Sequence, residues 1–369
     1  MTATTLAPGA TAPVPETLPA PNGPATEPGA DAGGPDGTIL EPAPPRRRRR
    51  KYAVLLLLLG MVIVFVGVGG WYLATRKPIT VIPLPGVVQQ TLPHYVFSVY
   101  GVTRPTGVAV SASGDRIYVT DTDGSRLVKI YDGKGTPVGT ISPPETATGD
   151  HIPVYVAVEP TLGDVYVSDR IAGTIYVYNR DGAYRREFTP PADLTGWQPL
   201  GIGFDSTGNV YVTDVSNPFH RVHELRQDGT LIRTFGEQRT FNFPNGVAVD
   251  ASGLVYVTDS NSGRLLVFDQ DGRQKSVVSR GQRGGELGLP RGIAIDDQGI
   301  VYVVDTSGYS VQLYKVLGTE DRQPPFVGNF GTAGSMDGTF AFPNGIAVDA
   351  RSRVYVTDSG NNRVQVWSY

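Results

Sequence analysis

The chain has 369 residues, with 32 Lys and Arg against 35 Asp and Glu for a formal charge of −3, and it contains no cysteine. The absence of thiols excludes a disulfide framework, a thiolate metal site and a cysteine nucleophile, and leaves the redox compartment open. Eight of the basic and five of the acidic residues lie at or before Lys77, so the remainder carries −6, which argues against nucleic acid as a partner.

Residues 1–45 hold 11 of the 30 prolines, and most of the rest is Ala, Gly and Thr. Such a segment cannot bury enough apolar area to offset its chain entropy and is predicted to be a disordered tail. A basic block follows, Arg46 to Lys51, and then Tyr52 to Thr75 without a charge. This run is predicted to be a single transmembrane helix over 52–75; its heart, Ala53 to Ala74, would span roughly 33 Å as a helix. Trp71 and Tyr72 fit an interfacial aromatic belt. Six basic residues precede the span and two, Arg76 and Lys77, follow it closely. That asymmetry places the N-terminus in the cytoplasm and the rest outside, at the cell membrane. The long leader before the run favours an uncleaved anchor over a signal peptide. Residues 76–93 read as a stalk.

Residues 94–369 repeat one unit six times, most plainly in FPNGVAVDASGLVYVTDSNSGRLLVFDQDG from Phe243 and FPNGIAVDARSRVYVTDSGNNRVQVW from Phe342. The units open at Pro105, Pro153, Pro199, Pro244, Pro290 and Pro343. Their second strands close at Asp121, Asp169, Asp214, Asp259, Asp305 and Asp358, spaced 48, 45, 45, 46 and 53 residues apart. A period of this length with only short β runs inside it indicates an all-β, six-bladed β-propeller. Each unit parses into four strands with turn residues between them. Small residues such as Gly246 and Ala248 suit a crowded axis. The tyrosines Tyr118, Tyr166, Tyr211, Tyr256, Tyr302 and Tyr355 suit blades covered on both faces. The sixth unit stops after its third strand. YVFSVYG, Tyr95 to Gly101, is similar to the fourth strand of the fifth unit, FVGNFG, and is expected to close the ring as an N-terminal strand.

These runs resemble the NHL-repeat family, with a Pro-x-Gly-Ile-Ala-Val-Asp segment, a Tyr-Val-x-Asp-Ser segment and an Asn-x-Arg-Ile-Gln-Val segment. The match is close in units four and six, fair in one and three, and loose in two and five. The resemblance implies a structural ion pair between the second-strand aspartate and an arginine five residues on, as in Asp121 and Arg126, Asp259 and Arg264, or Asp358 and Arg363. Asp214 and Arg221 are separated by a longer loop. Thr174 and Ser310 stand where units two and five should have the arginine, so Asp169 and Asp305 need other partners. The family's fold carries scaffolds, RNA binders and enzymes alike. Its ubiquitin ligases have cysteine-rich zinc domains, which a cysteine-free chain lacks. The extracellular sensors of some bacterial receptor kinases are similar to this arrangement, with the kinase here replaced by the N-terminal tail.

The variable residue of Pro-x-Gly is expected at the mouth of the central channel: Thr106, Val154, Leu200, Asn245, Arg291 and Asn344. None is a histidine or a carboxylate. Amidating lyases place zinc-binding histidines at this position, and lactonases of the gluconolactonase type hold a divalent ion there with a glutamate, an aspartate and asparagines. Neither site is recognisable, and no metal or other cofactor is predicted. Of the four histidines, only His151 is expected near the mouth. His220 and His223 sit at a third strand that would send them to opposite faces. Unit two departs from the repeat with Tyr155 in place of glycine and Arg170 after Asp169. The candidate ligand-binding residues are therefore Thr106, Tyr155, Arg170, Asn245, Arg291 and Asn344, with no catalytic residue assigned. The expected function is a membrane-anchored, extracytoplasmic binding or scaffolding module for a protein, peptide or glycan. A hydrolase or lyase of lactonase or amidating-lyase type is the alternative.

Overall fold

Short β-branched runs, each ended by a turn that only a few residue types can make, fold here as antiparallel hairpins. The turn before the fourth strand of the fourth unit is typical: Gly272 adopts φ 78°, and the Asp269 carboxylate accepts the backbone N–H groups of Asp271 and Arg273 at 3.0 and 2.9 Å. The structure is a computed structural model that describes residues 56–64, 66, 91–190, 192–194, 196–216, 218, 220–236 and 240–369. The predicted tail, the basic block and most of the predicted membrane span and stalk lie outside the described residues. Within the apolar run, 56–64 and 66 are helical, and their large side chains are exposed. No helix among the described residues is long and apolar enough to cross a membrane. The chain divides into two units, residues 1–85 and 86–369, and the second holds the strands.

Six four-stranded sheets form the blades. The first is β2 (Val108–Val110), β3 (Arg116–Thr120), β4 (Val128–Asp132) and β5 (Pro137–Ile141); the second is β6 (Pro153–Val158), β7 (Val165–Asp169), β8 (Thr174–Tyr178) and β9 (Tyr184–Phe188). The third runs from β10 (Pro199–Phe204) through β11 (Val210–Asp214) and β12 (Arg221–Leu225) to β13 (Leu231–Phe235). The fourth comprises β14 (Pro244–Val249), β15 (Val255–Asp259), β16 (Arg264–Phe268) and β17 (Gln274–Val278). The fifth comprises β18 (Pro290–Ile295), β19 (Ile300–Asp305), β20 (Ser310–Lys315) and β21 (Phe326–Phe330). In the sixth, β22 (Pro343–Val348), β23 (Val354–Asp358) and β24 (Arg363–Ser368) are joined by β1 (His94–Val99) from the start of the repeat region. β1 runs antiparallel to β24, with Phe97 opposite Val366 and Val99 opposite Val364. The edge of the last blade is thus paired within the chain.

The core lies between blades. Six apolar clusters each join the facing sheets of two neighbours; one links Tyr166, Ile175 and Val177 of the second blade to Ile202, Val210 and Leu225 of the third. The six second-strand tyrosines are all buried, and hydrogen bonds satisfy hydroxyls that burial would otherwise penalise. Tyr355 donates to Asp349 at 3.1 Å and Tyr118 to the Arg180 carbonyl at 2.6 Å.

Around the axis the innermost strands touch, and the repeat's glycine and threonine become mechanical parts. A Cβ at Gly201 would lie 2.1 Å from the Asn245 carbonyl oxygen, and one at Gly246 would lie 2.7 Å from that of Arg291. Only a residue without a side chain lets the backbones approach this closely. The amide of each such glycine donates to a second-strand threonine of its own blade: Gly107 to Thr120 at 2.8 Å, Gly201 to Thr213 at 2.7 Å, Gly246 to Thr258 at 2.8 Å and Gly345 to Thr357 at 2.6 Å. Three of those hydroxyls donate onward to a carbonyl of the next blade: Thr213 to Asn245 at 3.1 Å, Thr258 to Arg291, and Thr357 to Thr106 at 3.3 Å. Ser168 to Leu200 at 2.8 Å and Thr106 to Val154 at 2.8 Å fill two more junctions. Between blades five and six, where Val304 replaces the threonine, Thr306 donates to the Pro343 carbonyl at 2.6 Å. Replacing Thr258 by valine leaves the Gly246 amide and the Arg291 carbonyl buried with one partner fewer. It should destabilise the propeller by about 1–3 kcal/mol, read from denaturant unfolding; an unchanged midpoint would show that the hydroxyl relay carries no weight.

Candidate functional site

Arginine partners were expected for Asp121, Asp259 and Asp358, which have one five residues on, and other partners for Asp169 and Asp305. Two of the arginine pairs form: Asp259 meets Arg264 at 2.6 Å and Asp358 meets Arg363 at 2.8 Å. Asp121 instead takes Lys129 at 2.9 Å, because Arg126 occupies the turn itself at φ 56° and is exposed. Asp214 meets the buried His223 at 3.3 Å, and Asp169 meets His151 at 2.9 Å. What recurs in all six blades is a backbone amide of the loop entering the same blade. Thr103, Ile152, Gln198, Asn242, Leu289 and Ala341 donate to Asp121, Asp169, Asp214, Asp259, Asp305 and Asp358 respectively. The aspartate therefore pins the loop that leads into the channel mouth, and the cation is a variable extra. For Asp214, burial would push the carboxyl pKa up. The His223 contact and the Gln198 and Ser216 amides outweigh it and hold the pKa below the usual range.

Above this frame lies a cavity of about 600 Å³ at the mouth of the channel. All six sequence candidates, Thr106, Tyr155, Arg170, Asn245, Arg291 and Asn344, line it. They are not equivalent. The Thr106 hydroxyl is spent on the ring, bonded to Thr122 at 2.7 Å and to the Val154 carbonyl, so it is structural as well as exposed to the cavity. Arg170 is exposed and Asn344 half-buried. Tyr155, Asn245 and Arg291 form a different set: Tyr155 Oη, Asn245 Oδ1 and Arg291 Nε are all buried without a hydrogen-bond partner.

Their placement follows from the one blade that breaks the repeat. In blades three to six the first strand bulges past its Pro-x-Gly, so that Pro199 pairs with Asp214 and the next pair is Ile202 with Val212. In blade two the bulge is shorter and Tyr155 pairs directly with Ser168. Tyr155 lies where the other blades have glycine, and its hydroxyl reaches the fourth blade, 3.1 Å from where a Gly246 Cβ would stand. Gly246 makes room for it. Burial raises the Tyr155 hydroxyl pKa, which nearby Arg291 partly opposes, and burial lowers that of the Arg291 guanidinium, which Tyr155 partly opposes. Both charged forms are disfavoured by desolvation, and the guanidinium remains the cation because its starting value is so high.

A second histidine joins the mouth. His151 stands beside the cavity, 2.9 Å from the lining Asp169, and His220, which the sequence did not place there, lines it. The long connection from Asp214 to Arg221 carries His220 toward the next blade, where its Nδ1 accepts the Phe243 amide at 2.7 Å. Strand periodicity could not foresee this, because His220 precedes β12. Among the described residues, no group of three or more His, Asp or Glu is placed to hold a metal ion.

The architecture is that of a six-bladed β-propeller, and NHL repeats are found in three of its blades. The NHL repeat pattern matches residues 103–130, 241–268 and 340–367, in blades one, four and six. The protein brain tumor of Drosophila melanogaster is 31% identical over 157 residues, 40% of this chain, and the chain spans 14% of that protein's length. A streptogramin B lyase structure superposes with a TM-score of 0.54 at 15% identity, covering 75% of this chain and 98% of that one. Virginiamycin B lyase from Staphylococcus aureus gives a TM-score of 0.50 at 14% identity, covering 72% and 94%. At these identities the two lyases share the fold alone.

A buried hydroxyl without a partner destabilises the free protein. Tyr155→Phe should therefore raise the stability of the ligand-free propeller by about 1 kcal/mol, read from its denaturant midpoint. A fall of similar size would mean that the hydroxyl is already satisfied and belongs to the structural ring.

Proposed function

We propose that this protein is a membrane-anchored, extracytoplasmic binding module whose propeller captures a ligand in its channel-mouth cavity. The observation that carries the reading is a trio of buried, unpartnered polar atoms, Tyr155 Oη, Asn245 Oδ1 and Arg291 Nε, all on residues that line one cavity. Folded proteins satisfy nearly all buried polar groups, and three of the seven exceptions among the described residues gather on the lining of this one concave site, which marks a place built to be completed by something else. The break in the repeat supports this. Tyr155 and Arg170 replace the glycine and small hydroxyl residue that the fourth blade has as Gly246 and Ser260, and both line the same cavity.

Anchoring rests on the uncharged run from Tyr52 to Thr75 and on the six basic residues before it against two after it. The exposed apolar side chains from Leu56 to Val64 suit a lipid environment. Protease added to intact cells should release propeller fragments and leave the N-terminal segment protected. A propeller fully protected in intact cells but cleaved after lysis would reverse the topology. The binding site is tested by placing a photo-crosslinking residue at Leu200, in the cavity wall, or at Val138, on an outer strand, in cell-surface protein. Discrete adducts should form from Leu200, disappear with Arg291→Ala, and be absent from Val138. Equal labelling from both positions would remove the cavity from the function.

A further inference from the structure

We infer that the cavity receives the C-terminal carboxylate of a peptide; this rests on the binding-module reading and specifies its ligand. The argument starts from the cation. Among the described residues the Arg291 guanidinium makes no ion pair or side-chain hydrogen bond, its Nε is buried, and the side chain is half-removed from water. A cation so placed has lost solvation without regaining it, and an anion is what restores the balance. The chain's own carboxylates at the cavity are engaged elsewhere. Asp169 is held by His151 at 2.9 Å and by the amides of Ile152, Ile171 and Ala172, and Asp123 is held at the rim by Arg104 at 3.0 Å. The anion must come from outside.

Its chemistry is narrowed by what stands next to Arg291. Arg291 lines the cavity, and a planar guanidinium matches a carboxylate edge-on through two parallel N–H donors. Of the three arginines at the cavity, Arg104 is held by Asp123 and Arg170 is exposed at the mouth, which leaves Arg291 as the desolvated cation; a phosphate would call for more donors than that, and no lysine lines the cavity. Asn245 Oδ1 is an acceptor waiting for a donor, and Tyr155 Oη can give or receive one hydrogen bond. A carboxylate with one amide N–H close by satisfies this set, and the end of a peptide chain has that arrangement. A uronic acid also has a carboxylate, but its several ring hydroxyls would need more buried partners than one hydroxyl and one amide. The walls Ile152, Val154, Leu200 and Val215 are apolar and accept a hydrophobic last side chain. The volume, about 600 Å³, is that of a ligand pocket and not of a packing void.

The test is calorimetric titration of the full chain, in lipid nanodiscs, with four probes. These are a mixture of N-acetylated tripeptides ending in leucine as free acids, the same mixture as C-terminal amides, trigalacturonate, and inorganic phosphate. The free acids should bind, and the amides should bind more weakly by about tenfold or more, the weight of a charge-assisted hydrogen bond. Arg291→Gln should erase that preference with its melting temperature near the parent's. If that variant fails to fold, the acid-to-amide ratio on the parent protein still decides. Arg170→Gln, at the exposed mouth, should weaken the acids only modestly and in a salt-dependent way. Equal affinity for acids and amides overturns the carboxylate assignment while leaving a peptide-binding cavity. Trigalacturonate or phosphate binding more tightly than the free acids, through Arg291, overturns the peptide assignment and keeps the anion site. Silence from all four probes overturns the inference, and cavity crosslinking then judges the binding module separately.

Discussion

Six sheets can share one axis only if their inner strands approach backbone to backbone, and that approach governs most of what this sequence does. The Gly201 and Gly246 sites leave no room for a methyl group. At three junctions a threonine hydroxyl then receives the glycine amide and hands a hydrogen bond to the neighbouring blade, and at the other three Thr106, Ser168 and Thr306 do the stitching, each a group too short to flex. Such bonds are worth little singly and much as a closed series, because opening one junction strands buried donors and acceptors on two blades. The apolar layers between sheets then follow, with the tyrosines spanning them.

The second blade shows what happens when that constraint is relaxed. Tyr155 stands where glycine belongs, keeps a regular pair with Ser168, and projects its ring into the channel toward the far blades. The junction survives because Ser168 still reaches the Leu200 carbonyl. The cost appears as polar atoms left unmatched on residues that line the cavity. Binding sites are commonly places where a protein forgoes stability that packing alone would have taken. A bulky residue that merely filled the channel would not need a polar tip, and neither Asn245 nor Arg291 would need to be left bare beside it.

The fold was largely legible because the repeat displays itself six times. Proline at the start of the first strand, glycine two residues later, and tyrosine and aspartate in the second strand all mark positions that geometry dictates. The partners of the aspartate were less legible. Its neighbour in sequence suggested an arginine pair, but the contact common to every blade is a main-chain amide 16 to 18 residues earlier, which carries no side-chain signature. His220 escaped for a similar reason, since the path of the Asp214–Arg221 connection is not encoded in strand alternation. At the site, the candidates could be named one blade at a time. That Tyr155 would meet Gly246 and Arg291 across the axis depends on ring closure, which no local pattern expresses.

The ring also explains why the site can be where it is. The hydroxyl relay addresses the variable residue of Pro-x-Gly through its carbonyl oxygen, as at Leu200, Asn245 and Arg291, and asks nothing of its side chain. The proline, glycine, tyrosine and aspartate positions of the repeat are fixed by packing or hydrogen bonding, yet this one can change from valine to arginine without disturbing a junction. Thr106 alone also lends its hydroxyl to a junction; the other five side chains are released in this way, and all six line a common mouth. A propeller thus separates the chemistry that closes it from the chemistry it presents. In this chain the presented set is asymmetric: apolar residues at Val154 and Leu200, amides at Asn245 and Asn344, and a single buried cation at Arg291. On the proposed reading, that asymmetry gives a six-fold scaffold one orientation for a ligand, with its charged end at the fifth blade and its apolar part against the second and third.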